Sequence, residues 1–144
     1  DAFHMTQPDV SAKMEVNCIE DALKRDGMGG VDYVNLHGTG TQANDKMEAK
    51  AVNLTLGATF ASTLKPQIGH TLGAAGAIES AICAMLCMEE NSTLPPHVYD
   101  GEYDESLEAI NLVKSGTKFD VKAAISLSFA FGGDNAAKIF KRVR

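Results

Sequence analysis

The stretch VDYVNLHGTGTQANDKMEAKAV, residues 31–52, changes character twice. Its first seven residues, Val31 to His37, are rich in β-formers and read as a buried strand. HGTGTQAN follows as a Gly/Thr loop. From Asn44 or Asp45 the chain takes up helical spacing, and Asp45 with Glu48 has the form of a capping box. Strand, glycine-containing loop and helix in succession point to an α/β layered fold. In such folds ligands sit beyond the carboxyl ends of the strands, where His37, Gly38, Thr39, Gly40 and Thr41 stand.

The flanking sequence continues the alternation. Residues 10–26 place Met14, Cys18, Ile19 and Ala22 at helical spacing, and Gly27, Gly29 and Gly30 end that helix. Residues 61–70 read as a short strand broken by Pro66 and followed by a loop. Thr71 to Glu90 reads as a long helix of small and apolar residues. Residues 92–106, with Pro95-Pro96 and an acidic run, are loop-like. Segments 109–113, 121–129 and 136–142 read as strands. Within SLSFAFGGDNAAKIF (126–140) two apolar runs flank Gly132-Gly133, the pattern of a strand, a sharp loop and a returning strand.

Composition narrows the class. The chain has 144 residues, 44% hydrophobic and 22% charged, which suits one ordinary globular domain. A net charge of −6 argues against a nucleic-acid footprint. The apolar run from Thr71 to Met88 holds Glu79 near its middle and reads as a buried helix rather than a membrane span. Three cysteines, Cys18, Cys83 and Cys87, make no disulfide framework, so a reducing cytoplasm is expected. Cys83 and Cys87 read as core residues, and the four histidines lack compact metal-ligand spacing. His97 reads as a loop residue. The even spacing of His4, His37 and His70 is no repeat, because the flanks differ.

Two constellations carry chemistry. Gly38, Gly40 and Ala43 fit a loose dinucleotide fingerprint, but no acid follows at the spacing needed to hold a ribose. The alternative is a Gly-rich turn with a hydrogen-bonded histidine. In the second, STLKPQIGHTLGAAGAIES, His70 precedes the expected start of a helix. There the positive end of the dipole disfavours imidazolium, and a neutral ring can donate from Nε2 to a developing oxyanion. Glu79 in an apolar helix needs a partner, and Lys65 is the natural one, unless both face solvent.

Together these motifs become specific. HGTGT after a strand, LKPQIGHTLGAAG (64–76) and FAFGGDNA (129–136) resemble the β-ketoacyl-acyl carrier protein synthases of the elongating, thiolase-fold type. DAFHMTQP (1–8) and NDKMEAKAV (44–52) are similar too, so the resemblance covers essentially the whole chain in the family's order. It implies the C-terminal half of a thiolase-like layered α/β fold, a mixed sheet packed with helices, over 1–144. The family's nucleophilic Cys belongs to the N-terminal half, in a Thr-Ala-Cys-Ser-Ser-like setting that none of the three cysteines here has. The expected activity is acyl transfer by decarboxylative condensation with malonyl-acyl carrier protein, in fatty acid or polyketide elongation, with the isolated chain inactive. A chain-length-factor-like, non-catalytic subunit is the alternative.

The resemblance also implies roles. His37 and His70 would stabilise the enolate oxygen. Lys65 with Glu79 would orient His70. Thr6, Thr39 and Thr41 would bind the phosphopantetheine arm. Phe129, Phe131, Gly132 and Gly133 would form the oxyanion and gating loop over the acyl-cysteine. No metal or resident cofactor is expected, since phosphopantetheine arrives on the acyl carrier protein. That carrier is the expected partner, with a homodimer as the full-length enzyme and no nucleic acid or membrane. Two positions depart from the family pattern: Ala130 stands where Gly is usual and Asp134 where Thr is common. Without its other half, the chain should expose an apolar face, and the loop should be poorly fixed.

Overall fold

The computed structural model describes residues 2–143. Two short strands, β1 (Ala2–His4) and β2 (Gln7–Pro8), pair antiparallel at the start. Helix α1 (Lys13–Arg25) leads to β3 (Tyr33–Asn35), α2 (Gln42–Leu56) and β4 (Phe60–Ser62). A single turn, α3 (Lys65–Ile68), and a 3-10 turn over Leu72–Ala74 precede the long helix α4 (Ala75–Met88). The strands β5 (Ser92–Thr93), β6 (Asn111–Leu112), β7 (Lys118–Phe119), β8 (Ala123–Phe129) and β9 (Asn135–Lys141) complete the chain.

The main sheet has the order β6-β4-β3-β8-β9. Its first four strands are parallel, and β9 runs antiparallel against β8. The sheet is therefore mixed, and the expected α/β architecture holds. Strand pleating sorts the side chains into two cores. Val34, Ile125, Leu127 and Phe129 join Ile19, Leu23, Met47 and Val52 beneath α1 and α2. Tyr33 and Ala124 join Cys83, Leu86 and Cys87 of α4 on the other side. Each fully buried aliphatic side chain here contributes roughly 1.5–3 kcal/mol.

Several boundaries differ from the sequence reading. Helix α1 starts at Lys13, after Ala12 in a left-handed conformation. Of the expected stripe Ile19 is fully buried, but the other deepest residues are Glu15 and Leu23, with Met14, Cys18 and Ala22 only half-buried. Helix α2 starts at Gln42 with Thr41 at its cap. Asp45 and Glu48 do not cap it, because their carboxylates turn back to the preceding loop. The segment after Ser62 is helical rather than extended: Pro66 lies in the first turn of α3, where its missing N–H costs nothing. Helix α4 begins four residues later than expected, because Thr71–Ala74 winds as a tighter turn. Within the expected loop 92–106, Ser92–Thr93 pairs with Lys118–Phe119 in a small ribbon that periodicity did not signal.

Helix α4 is apolar on two sides. One side packs on the sheet. The other exposes Ile78, Met85 and Met88, the last 81% accessible, with Ala77 and Ala81 between them. An apolar face of the expected kind is therefore present. Among the described residues no helix is long and apolar enough to cross a membrane.

Candidate active site

The carboxyl ends of β3 and β8 open on one cavity of about 770 Å³. His37 follows β3 and is buried to 8% accessibility. The chain then turns sharply at Gly38, whose φ is +46°. A side chain there would place its Cβ 2.5 Å from the Cβ of Thr63, so only glycine fits. The turn is clamped from behind. Glu48 of α2 accepts the N–H of His37 and the N–H of Gly38, each at 2.7 Å, and Asn44 donates to the same carboxylate at 3.3 Å.

A buried ion pair lies below. Lys65 Nζ is 2.6 Å from Glu79 Oε1, with side-chain accessibilities of 6% and 2%. The same ammonium donates to the carbonyl of His37. Lys65 is thus tied to the backbone of His37 as well as to Glu79, a link the sequence did not signal. Removing two charges from water is offset only where attraction and hydrogen bonds are both good. Here the Lys65 ammonium meets both Glu79 Oε1 and the His37 carbonyl, while Glu79 Oε2 is buried without a hydrogen-bond partner. The surface reading of Lys65 and Glu79 is excluded.

His70 stands at the mouth. It does not immediately precede a helix of useful length, since the 3-10 turn intervenes. Its Nδ1 accepts the N–H of Leu72 at 3.2 Å, so the neutral ring carries its proton on Nε2. The tautomer expected from the helix dipole thus arises from a local backbone hydrogen bond. The rings of His37 and His70 meet edge to face, with centroids 5.5 Å apart. Phe129 packs on His37 from the other side at 6.3 Å. Burial, reinforced by the nearby Lys65 ammonium and by the adjacent His70 imidazole, pushes His37 down to about 4, so the ring is neutral at physiological pH. Burial likewise pushes Glu48 up to about 7, against the pull of the Gly38, His37 and Asn44 hydrogen bonds.

The loop after β8 forms the roof. Phe129 is buried, whereas the Phe131 ring is 75% exposed. Gly132 and Gly133 have φ of +82° and +86°. The backbone is tied down rather than loose: Gly132 donates to the Met5 carbonyl at 2.9 Å and Ala130 to that of Asp134 at 2.8 Å. Thr39 and Thr41 share a hydroxyl contact of 3.0 Å, and both line the cavity with Thr6. Among the described residues no group of three or more His, Cys, Asp or Glu side chains could hold a metal ion. Burial pushes the Cys83 thiol up to about 12, which makes it a packing group rather than a nucleophile.

A model of the β-ketoacyl synthase C-terminal domain matches residues 1–99. The chain belongs to the β-ketoacyl synthase family. Its relatives include 3-oxoacyl-[acyl-carrier-protein] synthase 2 of Coxiella burnetii, 36% identical over 99% of this chain and 36% of the relative. The protein of the same name from Rhizobium meliloti is 40% identical over 99% of this chain and 34% of the relative. The β-ketoacyl synthase chain thus spans about a third of the length of the curated relatives it matches. Its fold superimposes on a chain of the solved complex of the ketosynthase ApeO with its chain length factor ApeC from Xenorhabdus doucetiae. There the TM-score is 0.89 at 35% identity, covering 98% of this chain and 36% of that one. The ishigamide ketosynthase/chain length factor gives a TM-score of 0.90 at 30% identity, over 100% and 36%. The β-ketoacyl synthase fold is therefore thiolase-like, as the motifs implied.

All eleven residues named from the motifs converge on this region. His37, His70, Phe129, Phe131, Gly133, Thr6, Thr39 and Thr41 line the cavity, Lys65 and Glu79 lie beneath His37, and Gly132 belongs to the roof. Glu48 was legible only as a cap, because its spacing from Asp45 imitates one.

Proposed function

We propose that this chain is the C-terminal part of a condensing enzyme. Such an enzyme joins an acyl thioester to malonyl-acyl carrier protein and releases carbon dioxide and a 3-oxoacyl product. The observation that carries the reading is the His37–His70 ring contact on the cavity wall, above the buried Lys65–Glu79 pair. Neutral imidazoles that converge from two elements can donate to one developing oxyanion.

In this reading a cysteine outside the chain takes the acyl group from its carrier thioester and releases the carrier thiol. Malonyl-carrier protein enters next. Its C–C bond to the carboxylate breaks, carbon dioxide leaves, and the electron pair forms an enolate whose oxygen His37 and His70 hold. The enolate carbon attacks the acyl thioester, and the cysteine thiolate departs. Lys65 fixes His37 through its carbonyl and Glu79 fixes Lys65. Thr6, Thr39 and Thr41 bind the phosphopantetheine arm, which the carrier brings as substrate. Phe129 and Phe131 form the gate, and the Phe131 N–H joins the acyl oxyanion hole. The Gly132 and Gly133 conformations let the loop turn. A soluble, cytoplasmic homodimer completed by an N-terminal half fits this scheme, with the isolated chain inactive.

A second reading rests on the solved ketosynthase–chain length factor complexes, which match this fold with TM-scores of 0.89 and 0.90. A non-catalytic subunit, however, has no use for two converging histidines over a buried ion pair. The test uses the complete polypeptide carrying this chain, with an acyl thioester and malonyl-carrier protein. We expect a 3-oxoacyl product, and its loss in His37→Ala or His70→Ala. A polypeptide that takes no acyl group and condenses only beside another synthase would overturn the enzyme reading.

A further inference from the structure

Among the described residues Glu15 is the one carboxylate on the wall of the 770 Å³ cavity, and the condensation scheme leaves it unused. It sits in the first turn of α1 and is only 3% accessible. Its Oε1 accepts the side-chain amide of Asn135 at 3.3 Å, just past the roof loop. Its Oε2 is buried and has no hydrogen-bond partner. The start of α1 offers a favourable dipole for a negative group, but no helix N–H bonds this oxygen. A buried carboxylate oxygen left without a donor is costly, and a hydrocarbon chain in the cavity would leave it so. Met5, Met47 and Phe129 supply apolar wall for such a chain. Glu15 adds a single fixed acceptor, the pattern by which an apolar pocket selects a substrate.

We propose that Glu15 is a specificity-determining residue, and that its free oxygen receives a hydroxyl or ammonium hydrogen bond from the group entering the cavity. The substrate class is then an acyl thioester whose chain bears a hydrogen-bond donor. This rests on the condensing-enzyme reading. A site built around a buried polar partner rejects the analogue that lacks it far more strongly than an apolar wall rejects an extra methylene.

The test uses inert pantetheine amides and the complete polypeptide, with affinities from titration calorimetry. The probes are octanoyl pantetheine amide and versions with a hydroxyl, amine or methoxy group stepped along the chain. At one position the hydroxyl or amine should bind about tenfold or more tighter than plain octanoyl. Glu15→Gln keeps an acceptor for Asn135 but presents an amide donor in place of Oε2, so it should abolish that preference and improve the methoxy analogue. Equal affinities at every position, or a preference that survives both Glu15→Gln and Glu15→Ala, would overturn the proposal and leave the condensing reading standing. A crystal structure showing only an ordered water on Oε2, with equal affinities, counts the same way. Failure of every amide to bind, octanoyl included, would overturn both readings.

Discussion

The carboxylate of Glu48 accepts the backbone N–H of His37 and that of Gly38, both at 2.7 Å. A side chain eleven residues downstream thereby fixes the histidine through its main chain and leaves the ring to face the cavity. Two donors aimed at two carboxylate oxygens make this a clamp rather than a single tether.

From that clamp follows a pH effect. The folded pKa of Glu48, about 7, lies above its ordinary 4.5, so its contribution to stability is full below the lower value and is lost as pH rises through the higher. Thermal melts between those values should slope downward with pH, and Glu48→Gln should flatten the slope. On the proposed condensing reading, Glu48→Ala in the complete polypeptide should cost roughly tenfold to a hundredfold in turnover by misplacing His37. An unchanged rate would show that the clamp is dispensable.

His37 behaves in the opposite sense. Its folded pKa, about 4, lies below the ordinary 6.5, so its contribution is full above 6.5 and is lost as pH falls toward 4. His37→Asn should remove this acid sensitivity. A melt series with the same acid limb in both proteins would contradict the buried neutral ring.

Lys65→Met strands the Glu79 carboxylate in the interior. We expect a loss of about 3–5 kcal/mol in denaturant unfolding. Adding Glu79→Leu should restore much of the stability but not the activity, because the tie to the His37 carbonyl is gone. Activity regained by the double variant would reduce the pair to packing.

Gly38→Ala should destabilise the fold by roughly 1–3 kcal/mol, from a positive φ and a forced overlap with Thr63. Thr63→Gly in the same protein should recover the overlap part only, since the φ penalty stays. Full recovery would assign the whole effect to crowding.

The exposed face of α4 predicts how the chain behaves alone. Ile78, Met85 and Met88 share one helix side with no cover among the described residues. Sedimentation of the 144-residue chain should show self-association. Ile78→Lys with Met85→Lys should move it toward monomer with helix content kept. A monodisperse parent chain would argue against an interface on this face.

Strand β3, the Gly/Thr loop, helix α4 and the β8–β9 return were all legible along the chain. Each is a local pattern: β-branched runs, glycines at turns, and small apolar residues in succession. The histidines, Lys65 and Glu79 were legible through their motifs, and their partnership followed from the cost of burying a lone glutamate. Local rules failed where a side chain serves a distant backbone. Asp45 and Glu48 have the spacing of a cap, yet their donors lie in the preceding loop. Glu15 stands on what reads as the polar side of α1, yet β9 covers it and contributes Asn135.

Along the chain itself, secondary-structure type, the α/β class and the residue types of the site were already determined, because periodicity and turn chemistry act over a few neighbours. The tertiary structure decided which oxygens and nitrogens meet. Only the packing of β3 between β4 and β8 brings His37 against His70 and over Lys65. Burial then sets the charge states, since desolvation depends on what surrounds a group and not on its neighbours in sequence.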